Sequence, residues 1–160
     1  PEGYHVASAS TAVKEPRRTR SDYRDRLWEG ADLVGLGVAS FGHVNGVHMQ
    51  NLDQWDPYSA SLRERRLPLN RAYRPTQEER MIRELVLQLK RGWVRPAYFA
   101  DKYGADVLAR FREPLSSLSG EGYLAEASPE MVRLTREGLL RADVLLRRFF
   151  LPQHAAIRYT

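Results

Sequence analysis

The stretch DLVGLGVASFGHVNGVHMQN, from Asp32 to Asn51, decides how the rest of the chain is interpreted. It begins with a short apolar pair and then passes through Gly35, Gly37, Gly42 and Gly46. Glycine loses more chain entropy on ordering than any other residue, so this spacing is typical of backbone that turns sharply or lies against a ligand. No charged side chain occurs between Asp32 and Asp53, and we therefore expect the segment to be largely buried and to build a site.

Length and composition fit one domain, or one small domain with part of another. The 160 residues contain no apolar run long enough for a membrane span and no signal-peptide pattern, so we expect a cytoplasmic protein with no membrane partner. The chain has no cysteine, which excludes a disulfide, a thiolate metal site and a cysteine-ligated iron–sulfur cluster within it. It begins with Pro1 rather than methionine, and we expect a piece of something longer.

The net charge is +5, from 25 basic and 20 acidic residues. Such an excess is compatible with an anionic partner, either nucleic acid or a polycarboxylate ligand. It is equally compatible with arginines scattered over a solvated surface. The interleaving of positive and negative residues favours the second interpretation.

The first half of the chain predicts few regular elements. Residues 1–13 suit a strand that enters a loop, and residues 14–26 are predicted to form an exposed basic connector. Asp53–Arg66 is predicted to be a helical connector, because Trp55, Tyr58 and Leu62 fall at helical spacing. An extended passage then leads to Pro75, which we interpret as a domain boundary.

The second half predicts helices around one hairpin. A capping box at Thr76–Glu79 opens a helix that Gly92 ends, and a second helix covers Pro96–Tyr103. A third helix is expected over 107–118, with Pro114 bending it. Two short strands follow around Ser128-Pro129, and Thr135 caps a last helix that runs through Phe149. This order is that of a winged-helix domain, here 75–150, so the chain is predicted to be α+β.

Two kinds of side chain in the opening stretch suggest ligand contacts. His43 and His48 are five residues apart, a spacing that fits neither helical nor strand pairing, and no third ligand is evident, so we predict no metal site. His43 is instead a candidate for contact with a substrate or for a hydrogen-bonded loop position. Gln50 and Asn51 end the stretch with two amides, which could recognise a polar ligand edge or cap the following helix.

Taken together, these residues resemble a known family. The segment DLVGLGVASF at 32–41, then Gln50-Asn51, then Leu67-Pro68-Leu69 and the winged-helix-like tail are similar to the C-terminal part of radical S-adenosylmethionine (SAM) enzymes related to oxygen-independent coproporphyrinogen III oxidase. The resemblance covers essentially the whole chain.

The resemblance implies that this chain is part of a longer oxidoreductase. In that family a (β/α) barrel holds a [4Fe–4S] cluster on a CxxxCxxC motif, and the cluster reduces SAM to a radical that abstracts hydrogen from substrate. Residues 1–52 would be the last barrel segment, 53–74 the connector, 75–150 the domain that covers the barrel mouth, and 151–160 a tail. The implied partners are the N-terminal barrel part and a tetrapyrrole-type small molecule. The cluster would be held outside this chain, which alone is expected to be inactive.

By the same resemblance, Gly35, Gly37 and Phe41 are candidate SAM-binding residues on a loop that lines the cavity. Tyr23 stands where those oxidases tend to carry a Phe-Gln pair, and it joins His43, Gln50 and Asn51 as a candidate substrate contact. Catalytic residues are not identified. The family also includes haem chaperones, haem-opening methyltransferases and radical methylases, and the residues present do not choose among them.

A second interpretation is a winged-helix module that binds DNA or a protein partner. Its basis is the net charge together with Arg110 and Arg112 on the third predicted helix. Asp106 and Glu113 lie on the same segment, and the predicted hairpin turn carries two acids and no base, so a nucleic-acid partner is not expected.

Overall fold

The computed structural model describes residues 3–154, which mix α-helices with antiparallel β-strands. In chain order the strands are β1 His5–Ser8, β2 Thr11–Val13, β3 Phe41–Val44, β4 Val47–Asn51, β5 Leu69–Tyr73, β6 Trp93–Val94, β7 Leu124–Ala127 and β8 Val132–Leu134. The helices are α1 Asp22–Trp28, α2 Trp55–Arg63, α3 Gln77–Leu89, α4 Pro96–Tyr103, α5 Val107–Arg110, α6 Arg112–Gly120, α7 Arg136–Leu140 and α8 Ala142–Leu145. Within this part of the chain no helix combines the length and the apolarity that crossing a membrane requires.

The second half of the quoted stretch, residues 41–51, forms a β-hairpin. β3 and β4 pair antiparallel through a turn at Asn45 and Gly46, whose φ angles of 48° and 74° match the type I′ turn that two-residue hairpins favour. The Asp32 carboxylate accepts a hydrogen bond from the Asn45 amide at 2.9 Å and braces the turn. β5 pairs with the other edge of β4 to complete a three-stranded sheet.

The hydrophobic core lies in the second half of the chain. α3 contributes five buried apolar side chains. The elements packed against them are α4, α6, α8 and the second three-stranded sheet, whose strand order is β6-β8-β7. Phe99 and Leu118 are fully buried at its centre. Burial of this apolar area is the main favourable term for the fold.

Local capping signals set the ends of the core helices as predicted. The Thr76 hydroxyl accepts from the Glu79 amide, and the Glu79 carboxylate accepts from the Thr76 amide, so the capping box is complete. Pro96 occupies the first position of α4, and Gly104 ends that helix in the left-handed conformation.

Three predicted elements are corrected and one strand is added. The basic connector over 14–26 already enters α1 at Asp22, and the third helix is split at Phe111, where ψ is 30°. Pro114 explains the split, because its ring has no N–H to continue the hydrogen bonds of α5. The last helix is divided into α7, α8 and a 3₁₀ turn over Leu146–Phe149, and the short strand β6 was not predicted.

Residues 3–30 are attached to the core region at two points, Ala9 and Glu29. The Ala9 amide donates to the Lys90 carbonyl at 2.8 Å, and Arg91 forms an ion pair with Glu29 at 3.2 Å. The Lys102 ammonium donates to the Glu29 carbonyl at 2.8 Å. The mixture of helices and antiparallel strands confirms the α+β prediction. The domain boundaries at residues 52, 74 and 150 stay predictions.

Candidate functional site

The candidate site is built on residues 34–40, here called the glycine loop, which connects the bridge at Leu33 to strand β3. Asn51 is buried, and its side-chain amide donates to the carbonyls of Gly35 and Gly37, each at 3.0 Å. The Gly37 amide donates to the Tyr58 hydroxyl at 3.1 Å. Strand β4 and helix α2 therefore fix the loop's inner backbone groups.

Close approach explains the first glycine of this loop. A Cβ on Gly35 would lie 2.2 Å from the Phe41 carbonyl oxygen, so no larger residue fits without moving the backbone. Gly37 has a φ of 103°, a conformation that other residues rarely adopt.

The expectation that this stretch is largely buried is wrong. Val34, Leu36 and Phe41 are 68%, 84% and 61% exposed. The physical reason is that Asn51 and Tyr58 satisfy the loop's peptide groups on the inner side, which leaves the apolar side chains outside. These three exposed apolar side chains, within eight consecutive residues, are available to contact a ligand or another part of the protein.

The side-chain amides of Gln50 and Asn51, at the end of β4, form hydrogen bonds to the glycine loop. The Gln50 side chain donates to the Ala39 carbonyl at 3.3 Å and accepts from Arg71 at 2.8 Å, while Asn51 holds the glycines. Neither caps α2, whose N-cap is Gln54 without a side-chain hydrogen bond, so the capping alternative is wrong. Both amides hold the geometry of the loop.

His43 and His48 meet across the hairpin, although their sequence spacing argued against pairing. They are directly opposite residues of β3 and β4, and their ring centroids are 4.6 Å apart. Burial, the charge of Arg83 and the neighbouring His43 lower the pKa of His48 to about 4. The Asn-Gly turn at 45–46 is the sequence signal that would have found this pair.

Tyr23, the remaining candidate substrate contact, does not lie on the hairpin or the glycine loop. Tyr23 is on α1 and is 71% exposed, and no hydrogen bond among residues 3–154 joins it to the glycine loop. Sequence reasoning also missed Arg80 of α3, which lies close to the hairpin turn beside Gly46.

The residues present do not fit an iron–sulfur cluster. The chain has no cysteine, and the part of the chain that the structure describes holds no group of three His, Asp or Glu side chains placed for a metal ion. They do fit one side of an organic ligand, because the glycine loop exposes apolar side chains on a backbone that is held from within.

Comparison with known proteins places these features in a family context. No protein-family model matches the chain. The oxygen-independent coproporphyrinogen III oxidase of Pseudomonas aeruginosa is 27% identical over 112 residues, which are 70% of this chain and 22% of that protein. The chain thus spans about a fifth of the curated relative that it matches.

The fold is shared with a solved structure. The Escherichia coli coproporphyrinogen III oxidase HemN, a radical SAM enzyme, superposes with a TM-score of 0.73 at 17% identity, over 92% of this chain and 37% of that one. Sequence and fold therefore confirm that the chain resembles coproporphyrinogen III oxidase-like radical SAM enzymes, over a part of their length.

Proposed function

We propose that this chain is the C-terminal part of a cytoplasmic radical SAM oxidoreductase of the coproporphyrinogen III oxidase type. Residues 1–52 would complete its barrel, and 75–150 would form a winged-helix-like domain over the barrel mouth. The reaction would be oxidative decarboxylation or related radical chemistry on a tetrapyrrole-type substrate. The observation that carries the proposal is the glycine loop, held by Asn51 from within and apolar on its outer face.

The exposed apolar residues support an N-terminal partner part. Besides the glycine loop, Trp55 and Leu67 are 69% and 80% exposed, on the connector that follows β4. Covering such side chains with another part of the protein is favourable by about 25 cal/mol per Å² of apolar surface buried. The proposed occupant is the barrel that the family resemblance implies.

The N-terminal part and this chain would contact different cofactors. The cluster would be held by cysteines of the N-terminal part, and when bound it supplies the electron for radical formation. Gly35, Gly37 and Phe41 would lie against SAM, with the Phe41 ring as an apolar contact and the two glycines allowing close approach. Tyr23, His43, Gln50 and Asn51 are the proposed substrate contacts. The hydrogen bonds of Gln50 and Asn51 favour an indirect role for these two, through the shape of the loop.

The alternative of a DNA-binding module is not favoured. Arg110 of α5 forms an ion pair with Glu78 at 2.5 Å. The next helix, α6, carries the acidic Glu113 in its first turn. In the β7–β8 hairpin Arg133 is paired with Glu126 at 3.1 Å, and Glu130 adds a negative charge that opposes approach to phosphates.

The proposal is tested on the longer enzyme, purified without oxygen and supplied with SAM and coproporphyrinogen III. We expect formation of 5′-deoxyadenosine that is coupled to substrate oxidation. Phe41→Ala should lower the coupled turnover. Tyr4→Ala, which removes an exposed aromatic ring from the segment before β1, serves as the matched control and should not.

Two results would overturn the proposal. One is a longer protein that forms no 5′-deoxyadenosine with any tetrapyrrole. The other is strongly salt-dependent binding of the 160-residue chain to duplex DNA, with no binding of SAM or porphyrin by the longer protein.

A further inference from the structure

A polar cavity lies beside the hairpin turn, and no residue of the glycine loop lines it. Its volume is about 180 Å³, and it opens between β3, the hairpin turn, α3 and α4. A single water needs only about 15 Å³, so the space suits a small ligand. Its polar lining comes from His43, Gln77, Arg80, Glu84, Lys102 and Tyr103.

Two residues of this lining each carry a buried nitrogen atom that has no hydrogen-bond partner among residues 3–154. These atoms are Nδ1 of His43, a residue that is only 7% exposed, and Nε of Arg80. Buried side-chain nitrogens nearly always have a partner, because an unpaired one loses its hydration without compensation. Both nitrogens can donate, since Nε of Arg80 carries a hydrogen and neutral His43 can carry its hydrogen on Nδ1.

The negative charge of the cavity is already neutralised. The Lys102 ammonium lies 2.9 Å from each carboxylate oxygen of Glu84, and the Tyr98 hydroxyl donates to the same carboxylate at 2.7 Å. Arg80, by contrast, also lines the cavity and forms no ion pair with any residue between 3 and 154. The unbalanced charge of the lining is therefore positive and lies at Arg80.

The hairpin turn lies against Arg80. A Cβ on Gly46 would lie 2.8 Å from Nη1 of Arg80, and the φ of Gly46, 74°, favours glycine at this position of the turn. The turn backbone and the Arg80 side chain therefore line the same cavity.

We propose that this cavity binds a small oxyanion, a carboxylate or a phosphate, between Arg80 and His43. Arg80 supplies the charge and its Nε–H, and His43 supplies Nδ1–H. This site is separate from the SAM contacts proposed on the glycine loop, and it does not depend on them.

The test uses the ¹⁵N-labelled 160-residue chain and nuclear magnetic resonance of the Arg80 Nε–H and His43 ring signals. Inorganic phosphate and acetate are titrated separately, at constant ionic strength against chloride. We expect saturable shifts of both signals, and the tighter of the two probes identifies the anion class. Arg80→Gln should weaken binding about tenfold, since a charge-assisted hydrogen bond is lost.

Arg112→Gln is the matched control, because it removes the same charge from an exposed position on α6 and should leave the affinity unchanged. Arg80→Lys keeps the charge without the Nε–H, and we expect an intermediate affinity. This variant keeps the test valid if Arg80→Gln fails to fold. Linear shifts that never saturate, or affinities equal in wild type and Arg80→Lys, would show that water alone fills the cavity and overturn the proposal.

Discussion

The Asn51 side-chain amide lies 3.0 Å from the Gly37 carbonyl oxygen and donates a hydrogen bond to it across the base of the glycine loop. The same amide donates to Gly35, so one buried residue of β4 fixes both glycines. Replacing it should release the loop. We expect Asn51→Ala to lower the free energy of unfolding by about 2 kcal/mol, because two partly buried carbonyls lose their donor.

Urea unfolding measures this effect. The matched control is Asn70→Ala, which removes an exposed amide from β5 and should change the unfolding free energy by about 0.5 kcal/mol or less. Equal losses in the two variants would show that Asn51 does not hold the loop.

Gly35 is predicted to tolerate no side chain. Its Cβ would lie 2.2 Å from a backbone oxygen of Phe41, so Gly35→Ala forces the loop away from β3 and should cost about 1–3 kcal/mol. Gly120→Ala is the control, because nothing lies within 4 Å of its Cβ at the end of α6. In thermal unfolding, the midpoint temperature of Gly35→Ala should be clearly lower than that of Gly120→Ala. Similar midpoints would contradict the close approach of Gly35 to the Phe41 backbone.

The hairpin should make stability depend on pH. The pKa of His48 is lowered to about 4 in the folded chain, from 6.5, so the unfolded chain binds more protons between those values. Stability is therefore lost as the pH falls from 6.5 towards 4. His48→Gln should flatten this part of the stability profile. A nuclear magnetic resonance titration gives the pKa directly, and a value near 6.5 would contradict the prediction.

Glu79 should stabilise the start of α3 in the pH range where it is ionised. Hydrogen bonds from His154, the Thr76 amide and Tyr73 lower its pKa to about 2, from 4.5. Its contribution is therefore complete above pH 4.5 and is lost as the pH falls towards 2. We expect Glu79→Ala to cost about 1 kcal/mol at neutral pH, as the loss of a capping partner does.

Glu78→Ala is the matched control for this prediction, since Glu78 is the neighbouring carboxylate and forms only an exposed ion pair with Arg110. Denaturant unfolding at pH 7 and at pH 3 should show a difference between the two variants that narrows in acid. A difference that stays constant with pH would contradict the role of the ionised Glu79.

Sequence reasoning was most successful where a few neighbouring residues decide the structure. The capping box of α3 and the Pro96 and Gly104 ends of α4 are set by hydrogen bonds and φ angles within a few residues. The resemblance to coproporphyrinogen III oxidase-like enzymes was also visible in the residues themselves. The Asn45-Gly46 turn was equally local, and its signal was overlooked.

The candidate site was predicted less well. Its glycines were recognised as residues of a shaped loop, yet the absence of charge was mistaken for burial, and Leu36 is in fact 84% exposed. Composition reports how apolar a segment is, and it does not report which side of the segment its neighbours cover. Asn51 and Tyr58 decide that, from positions up to 21 residues away along the chain.

Helices α3 and α4, the glycines of the shaped loop and the family resemblance could be read from the sequence, because each depends on neighbouring residues or on residue identity. The tertiary structure alone decided that the glycine loop turns its apolar side chains outward, that His43 faces His48, and that Arg80 lies against Gly46. These relationships join separate strands and helices, and only packing fixes the distances between them.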